Sequence, residues 1–290
     1  IRDAQESRGL GDVYKRQEYA EFVDLNKLGA VVTKGVANVP WPGNPTPRVA
    51  EVYGGMLNAV GLQNPGIDLF VERDIPFLKQ FDTKIMVNVC GHSTEEYIEV
   101  VERLRDQPVD LLEINISCPN VKEGGIAFGQ DPKAVEAITK EMKKHAAQPV
   151  IMKLSPNVTD ITEMAKAAEA AGSDALSLIN TLTGMKIDVK RRTFAVANKT
   201  AGVSGPAIHP IAVRMVYQVA NAAKLPIIGM GGVMNTEDAL EMIMAGATAV
   251  AVGTANFHNP YATVEIIKGI EEYMQANGVD DINTLIGCVK

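Results

Sequence analysis

The stretch VDLLEINISCPN, residues 109–120, runs from an apolar segment straight into a cluster of polar groups. Residues 109–117 follow a proline and are mostly aliphatic or β-branched, as in a buried strand. The polar groups that crowd its end are Asn115, Ser117, Cys118 and Asn120. Cys118 can be a small buried hydrophobe, or its thiol can belong to a binding site, because Pro119 lacks an N–H and turns the backbone there.

The same strand pattern recurs along the chain, each time after a segment with helical spacing. Strands are predicted at residues 30–34, 83–89, 109–117, 149–154, 174–180, 226–230 and 247–253. Helices are predicted at residues 18–28, 68–80, 94–105, 133–145, 161–171, 211–223, 236–245 and 261–276. Alternating helices and strands form right-handed βαβ units around a parallel sheet.

Seven parallel strands are one fewer than the eight of an α/β (β/α)8 TIM barrel. The eighth would precede Glu18, where residues 1–17 have no initiator Met, no apolar periodicity and no strand-like run. We expect residues 1–17 to be a leader outside the barrel, either a cloning artefact or an ordinary disordered segment. Residues 18–290 would then be one barrel domain with its first strand missing or replaced. A doubly wound open sheet competes, but the GxGxxG fingerprint of its first βα turn is absent.

Composition excludes several classes of function. The net charge of −7, with Lys+Arg 28 against Asp+Glu 35, argues against a nucleic-acid surface. Three cysteines without CxxC spacing encode neither a disulfide framework nor a four-thiolate metal site. No apolar stretch approaches the ~20 residues of a membrane span. A cytoplasmic protein without metal or membrane partners is expected, and its histidines, at positions 92, 145, 209 and 258, are expected to be solvated or at helix ends.

Every predicted strand has a polar residue or a glycine at its C-terminal end or within two residues of it. These residues are Lys34, Asn88, Asn115, Lys153, Asn180, Gly231–Gly232 and Gly253–Thr254. A barrel builds its site from the C-terminal ends of its strands, so these residues are predicted to share one mouth, although polar residues also mark ordinary strand-to-loop boundaries. In the two glycine turns, backbone N–H groups that open a helix can bind phosphate.

Two long loops, residues 35–66 and 181–210, are predicted to cover this mouth, because long loops in compact domains are usually functional. Surface decoration is the alternative. Alternating residues near 186–196 indicate a hairpin in the second loop. The first loop is rich in Pro and Gly, which predicts no regular structure there.

The polar residues at the mouth favour a flat ligand. A buried ammonium at Lys153 needs an anion or a polarised carbonyl, which a reduced flavin would supply, and Lys34 poses the same question. Amides with both donors and acceptors are available at Asn58, Asn88, Asn115, Asn120 and Asn180. Alternating N–H and C=O edges of this kind are found in a flavin or a pyrimidine.

Several fragments together resemble the dihydroorotate dehydrogenase family. They are TKGV (33–36), GNPTPR (43–48), MLNAVGLQNPG (56–66), NISCPN (115–120) and the paired glycine turns. The likeness extends from residue 18 to the C-terminus. SCPNVKEGGIAFG (117–129) resembles the NAD-linked class 1B catalytic subunit, because the membrane-associated class has serine in place of this cysteine. The resemblance implies a TIM barrel that binds FMN and oxidises dihydroorotate to orotate in pyrimidine (UMP) biosynthesis.

The resemblance also implies roles for individual residues. Cys118 would be the base that removes a proton from C5 while hydride leaves C6 for FMN. Substrate contacts would come from Lys34, Asn58, Ala59, Val60, Gly61, Leu62, Asn115, Asn120, Asn180 and Thr181. FMN contacts would come from Lys34, Gly35, Asn88, Asn115, Lys153, Ile179, Gly205, Gly231, Gly232, Gly253 and Thr254. One departure is that nothing in residues 1–17 matches the family's first strand or its serine-bearing loop.

Electrons would have to leave this chain through a partner. The sequence has no dinucleotide fingerprint and too few cysteines for its own iron–sulfur cluster. By resemblance, the partner is a subunit that carries FAD and a [2Fe–2S] cluster and passes electrons to NAD, bound to a homodimer of this chain within a heterotetramer. The alternatives are a fumarate-linked or other dihydropyrimidine-oxidising FMN enzyme, and an inactive truncated flavin-binding barrel.

Overall fold

The computed structural model describes residues 20–116 and 128–289. The strands are β1 (Ala30–Val32), β2 (Val49–Val52), β3 (Gly55–Asn58), β4 (Lys84–Val89), β5 (Leu111–Asn115), β6 (Val150–Lys153), β7 (Ala175–Leu178), β8 (Leu182–Met185), β9 (Ile187–Asp188), β10 (Thr193–Phe194), β11 (Thr200–Ser204), β12 (Ile227–Met230) and β13 (Ala249–Ala251). The helices are α1 (Ile67–Leu69), α2 (Ile75–Leu78), α3 (Thr94–Leu104), α4 (Pro132–His145), α5 (Ile161–Ala170), α6 (His209–Ala222), α7 (Thr236–Met244), α8 (Ala255–His258) and α9 (Ala262–Asn277). A π-helix, Phe70–Asp74, lies between α1 and α2.

Seven of these strands form one parallel sheet in the order β1-β4-β5-β6-β7-β12-β13. Each strand pairs in parallel with the next one of the set along the chain. This sequential order is that of a (β/α)8 barrel, whereas a doubly wound sheet reverses its strand order part-way. The seven strands predicted from the sequence are confirmed.

The central strands of the sheet, β4 to β7 and β12, are buried on both faces, which explains their continuous apolar runs. In β5 and β6, Ile114 and Met152 belong to the main hydrophobic core, whereas the alternate positions hold the buried polar residues Glu113, Asn115 and Lys153. Successive residues of a strand face opposite sides. The polar set therefore faces away from the helix-packed core, toward the barrel interior.

Side-chain caps set the starts of four helices. The cap residues are Ser93 for α3, Asp131 for α4, Asp160 for α5 and Asn235 for α7, and each accepts a hydrogen bond from a backbone N–H two or three residues further on. Such a bond satisfies a donor that the first helical turn leaves open. All four helices have the predicted bounds to within one residue.

The helix predicted at residues 18–28 is wrong for the part that the structure describes. Residues 20–29 contain only the short 3-10 helix Leu25–Lys27. The side chain of Asp24 accepts a hydrogen bond from the backbone of Asn26 and starts this single turn. Val23 and Leu25 are buried while Asp24 between them is exposed, and this period of two does not suit a helix.

The first long loop contains regular structure, contrary to the prediction. Strands β2 and β3 form a hairpin within it and join strands of the second loop in a four-stranded antiparallel sheet, order β2-β3-β11-β8. The turn between them uses Gly54 at φ +64, a conformation that glycine adopts without strain. The partner strand β11 lies far along the chain. The prolines and glycines within the first loop therefore did not predict that strands form there. The second hairpin, β9 with β10, is confirmed.

In the described part of the chain, β1 is the strand at one edge of the parallel sheet. Among the described residues, β1 is hydrogen-bonded to β4 alone. Residues 1–17 lie outside the described residues, so the prediction that they form no barrel strand remains a prediction. No helix in the described ranges combines the length and apolar character that crossing a membrane requires.

Candidate active site

The C-terminal ends of the sheet strands bring a row of amides together. Asn115 Nδ2 donates to Asn88 Oδ1 at 3.3 Å, and Asn180 Nδ2 donates to Asn115 Oδ1 at 3.3 Å. Lys153 is the register partner of Asn115 on the next strand, and Ser177 is the register partner of Lys153. Four strands thus contribute to one buried polar layer, as the strand ends predicted.

Glu113 anchors this row, and the sequence reasoning missed it. The residue is fully buried. Its Oε2 accepts a hydrogen bond from Asn88 Nδ2 at 2.5 Å, and its Oε1 accepts one from Ser177 Oγ at 2.7 Å. A carboxylate only accepts, so Asn88 must turn its NH2 to Glu113 and its oxygen to Asn115, which in turn offers its oxygen to Asn180. The signal in the sequence was a charged residue inside the apolar run LLEIN, residues 111–115.

A cavity adjoins the amide row at Asn180. Eight predicted residues line it: Asn58, Ile179, Asn180, Thr181, Gly231, Gly232, Gly253 and Thr254. Ser204 also lines it and was not predicted; its Oγ accepts a hydrogen bond from Thr254 Oγ1 at 2.9 Å. The predicted residues outside this lining are Lys34, Gly35, Ala59, Val60, Gly61, Leu62, Asn88, Asn115, Lys153 and Gly205.

The glycine turns at the cavity have conformations that other residues rarely adopt. Gly231 and Gly232 have φ of +130 and +70, and Gly205 has φ of +109. A Cβ on Gly232 would lie 2.6 Å from the carbonyl oxygen of Gly205, and one on Gly205 would lie 2.6 Å from the Cα of Gly55. Three backbone segments therefore pack closely here with no room for side chains between them, and Gly231 and Gly232 are the glycines of this contact that line the cavity.

Two lysines are buried in the barrel. Lys34 is 3% exposed and Lys153 is 0% exposed. Within the described part of the chain, the Nζ of Lys153 has no hydrogen-bond partner. A buried ammonium is costly unless an anion or another acceptor pairs with it. Lys153 is therefore suited to a ligand that brings negative charge or carbonyl oxygens into the barrel.

The segment that follows β3 is held by the first long loop. Asn44 Nδ2 donates to the carbonyl of Ala59 at 2.9 Å, and the backbone N–H of Asn44 donates to the carbonyl of Val60 at 2.9 Å. Leu62 has φ of +52, which is uncommon for a residue with a branched side chain. These contacts fix the backbone of residues 59–62 next to Asn58, the last residue of β3, which lines the cavity.

Cys118 and Asn120 lie outside the described residues, as does Ser117. The strand that leads to them ends at Asn115, whose carbonyl accepts a hydrogen bond from the Tyr97 hydroxyl at 2.7 Å. The roles of Cys118 and Asn120 therefore remain predictions.

The other cysteines and the histidines are potential metal ligands by residue type. No group of three or more His, Cys, Asp or Glu side chains within residues 20–116 and 128–289 is placed to hold a metal ion. Cys90 is buried and Cys288 is exposed. His209 stands at the start of α6, a helix end as expected, but it is buried rather than solvated.

Comparison with known proteins identifies the family of the chain. The family model described as Dihydroorotate dehydrogenase matches residues 11–274. The chain belongs to this family. It is 77% identical over 273 residues to "Dihydroorotate dehydrogenase B (NAD(+)), catalytic subunit" of Lachnoclostridium phytofermentans, with 94% of this chain and 91% of the relative covered. Proteins of the same name from Alkaliphilus metalliredigens and Alkaliphilus oremlandii are 63% and 62% identical over 271 residues, with 93% of this chain and 90% of each relative covered.

Membership in the dihydroorotate dehydrogenase family confirms the resemblance seen in the sequence, and it makes the chain an oxidoreductase. The family has the TIM-barrel fold, in agreement with the order of the seven parallel strands. The match begins at residue 11, inside the segment set apart as a leader. The boundary at residue 17 therefore stays a prediction.

Proposed function

We propose that this chain oxidises dihydroorotate to orotate in pyrimidine (UMP) biosynthesis, with FMN as hydride acceptor. The observation that carries the proposal lies at the C-terminal ends of the sheet strands. There, the oriented amide row and the buried Lys153 adjoin a glycine-lined cavity. The names of the relatives, dihydroorotate dehydrogenase B catalytic subunits, support the same substrate.

The described residues fit FMN at two places. The Nζ of Lys153 is buried without a hydrogen-bond partner among them, and a flavin ring, which becomes anionic on reduction, would provide one. Gly231, Gly232 and Gly253 line the cavity without side chains, where their backbone N–H groups would contact a phosphate. The residues that would hold FMN are Lys34, Gly35, Asn88, Asn115, Lys153, Ile179, Gly205, Gly231, Gly232, Gly253 and Thr254.

The substrate would lie between the amides and the loop after β3. Its contacts would come from Lys34, Asn58, Ala59, Val60, Gly61, Leu62, Asn115, Asn120, Asn180 and Thr181. Bound FMN supplies a two-electron acceptor for the hydride that leaves C6. Cys118, as the thiolate, would take the proton from C5, so that both C–H bonds break and the C5=C6 double bond forms. A positioned base of this kind accelerates a reaction by about 10²–10⁴-fold.

A partner subunit would complete the electron path. The relatives are named as NAD(+)-linked catalytic subunits, which supports a separate subunit that reacts with NAD. We infer that this subunit carries FAD and a [2Fe–2S] cluster and binds a homodimer of this chain, giving a heterotetramer. The cytoplasm is the proposed location, because a chain with three cysteines and no CxxC spacing suits a reducing compartment.

The proposal is tested with the purified chain. We expect bound flavin in the absorbance spectrum, bleached anaerobically by dihydroorotate. NADH should form rapidly only after the partner subunit is added. A flavin that dihydroorotate does not reduce would favour an inactive barrel. Rapid fumarate reduction by the isolated chain would assign it to the fumarate-linked class instead.

A further inference from the structure

His209 lies directly behind the glycine turn at the cavity. Its side chain is buried, and its Nδ1 is 2.9 Å from the carbonyl oxygen of Gly231. Its Nε2 is 3.1 Å from Glu241 Oε2 and 3.8 Å from Asp238 Oδ1, both on α7. Gly231 lines the cavity, whereas His209 does not. The ring thus stands between the two acids and the turn.

Both hydrogen-bond partners of the ring are acceptors. The tautomer of His209 with its proton on Nδ1 donates to the Gly231 carbonyl. The other ring nitrogen, Nε2, faces the Glu241 carboxylate on α7.

The contact with Gly231 fixes the direction of one peptide group. The carbonyl of Gly231 and the N–H of Gly232 belong to the same trans peptide, in which they point in opposite directions. Because the carbonyl faces His209, the N–H of Gly232 points away from the ring. No described backbone carbonyl accepts a hydrogen bond from this N–H, and Gly232 lines the cavity. The N–H is therefore presented to a ligand there.

The turn is also packed tightly on the histidine. A Cβ on Gly232 would lie 2.8 Å from His209 Cβ and 2.9 Å from the His209 backbone nitrogen. Distances this short leave no room for a side chain at position 232, so that only glycine fits between the turn and the start of α6. The His209 ring, through its contact with the Gly231 carbonyl, sets the orientation of the peptide.

We propose that His209 is a positioning residue for the FMN phosphate. It holds the N–H of Gly232 toward the phosphate, and its ring separates the phosphate from Asp238 and Glu241. The inference rests on the proposed function, since it takes FMN as the ligand. It predicts that His209 matters for the phosphate and not for the flavin ring.

The test compares FMN with riboflavin, which has the same ring and no phosphate. Both are titrated by fluorescence into the full-length chain stripped of flavin. Loss of the Nδ1 hydrogen bond in His209→Leu should raise the Kd for FMN by about 3- to 10-fold and leave that for riboflavin within about twofold. His209→Asn should restore FMN binding, because its amide nitrogen can take the place of Nδ1. The matched control is His145→Leu, which removes a helix-end histidine that contacts Glu102 and should change neither Kd.

Each other outcome has a definite meaning. Equal weakening of FMN and riboflavin in His209→Leu would overturn the inference, because His209 would then support the fold alone. An asparagine variant as weak as the leucine variant would also overturn it. If His209→Leu does not fold, His209→Asn should still bind FMN more tightly than His209→Gln, whose amide takes the place of Nε2. Failure of the unmodified chain to bind either flavin would overturn the proposed function and this inference with it.

Discussion

Replacing Glu113 with alanine removes the carboxylate that orients the amide row. Asn88 Nδ2 and Ser177 Oγ, which donate to it at 2.5 Å and 2.7 Å, then lose their acceptor inside a fully buried layer. Replacing Glu113 with glutamine keeps the shape of the side chain and one oxygen for Asn88. The two variants therefore separate the loss of the acceptor from the loss of the charge.

The expected cost follows from the two bonds. A buried donor left without a partner costs about 1–3 kcal/mol, although the Ser177 hydroxyl can rotate toward another acceptor. With the small void that alanine leaves, we expect Glu113→Ala to lower the free energy of unfolding by about 2–5 kcal/mol. In Glu113→Gln the new NH2 can donate to the Ser177 oxygen, so that only the charge assistance is lost, about 1–2 kcal/mol.

Urea unfolding followed by circular dichroism measures both changes. Glu136→Ala is the matched control, because its side chain forms an exposed pair with Lys140, and such pairs contribute about 0–1 kcal/mol. FMN binding should weaken in the alanine variant, which leaves the Asn88 amide without its acceptor, and less in the glutamine variant, which keeps one oxygen for that amide. Equal stability of the alanine and glutamine variants would refute the anchoring role of Glu113.

Other consequences of the proposals can be measured directly. Cys118→Ala should retain FMN while stopped-flow reduction by dihydroorotate slows about 10²–10⁴-fold, and Cys118→Ser should turn over slowly at raised pH; a near-normal rate in the alanine variant would remove Cys118 from the mechanism. Lys153→Met should leave the flavin-free protein at least as stable in thermal unfolding, because it removes a buried charge, yet raise the Kd for FMN by about tenfold or more; unchanged affinity would exclude a flavin contact. NADH formation from dihydroorotate should depend on the added partner subunit, and rapid formation by the isolated chain would contradict the two-subunit path.

The sequence alone determined the repeating architecture. Seven apolar runs and the helical spacing between them were sufficient to predict it because both patterns are local. A strand buried on two faces is continuously apolar, and the cap residue of a helix marks in the sequence where the helix begins. The glycine turns were also readable, since a left-handed φ restricts the choice of residue at that position. The resemblance to dihydroorotate dehydrogenases came from short contiguous fragments for the same reason.

Only the tertiary structure decided which groups meet. In the sequence, Glu113 is only a charged residue within an apolar run. Its hydrogen-bond partners, Asn88 and Ser177, are 25 and 64 residues away in sequence. The hairpin of β2 and β3 is stabilised by β11, more than a hundred residues further along the chain. His209 was expected at a helix end, but its contact with Gly231 depends on how α6 packs against the turn after β12. Hydrogen bonds between distant segments depend on packing geometry, and a local pattern of residue types carries no record of them.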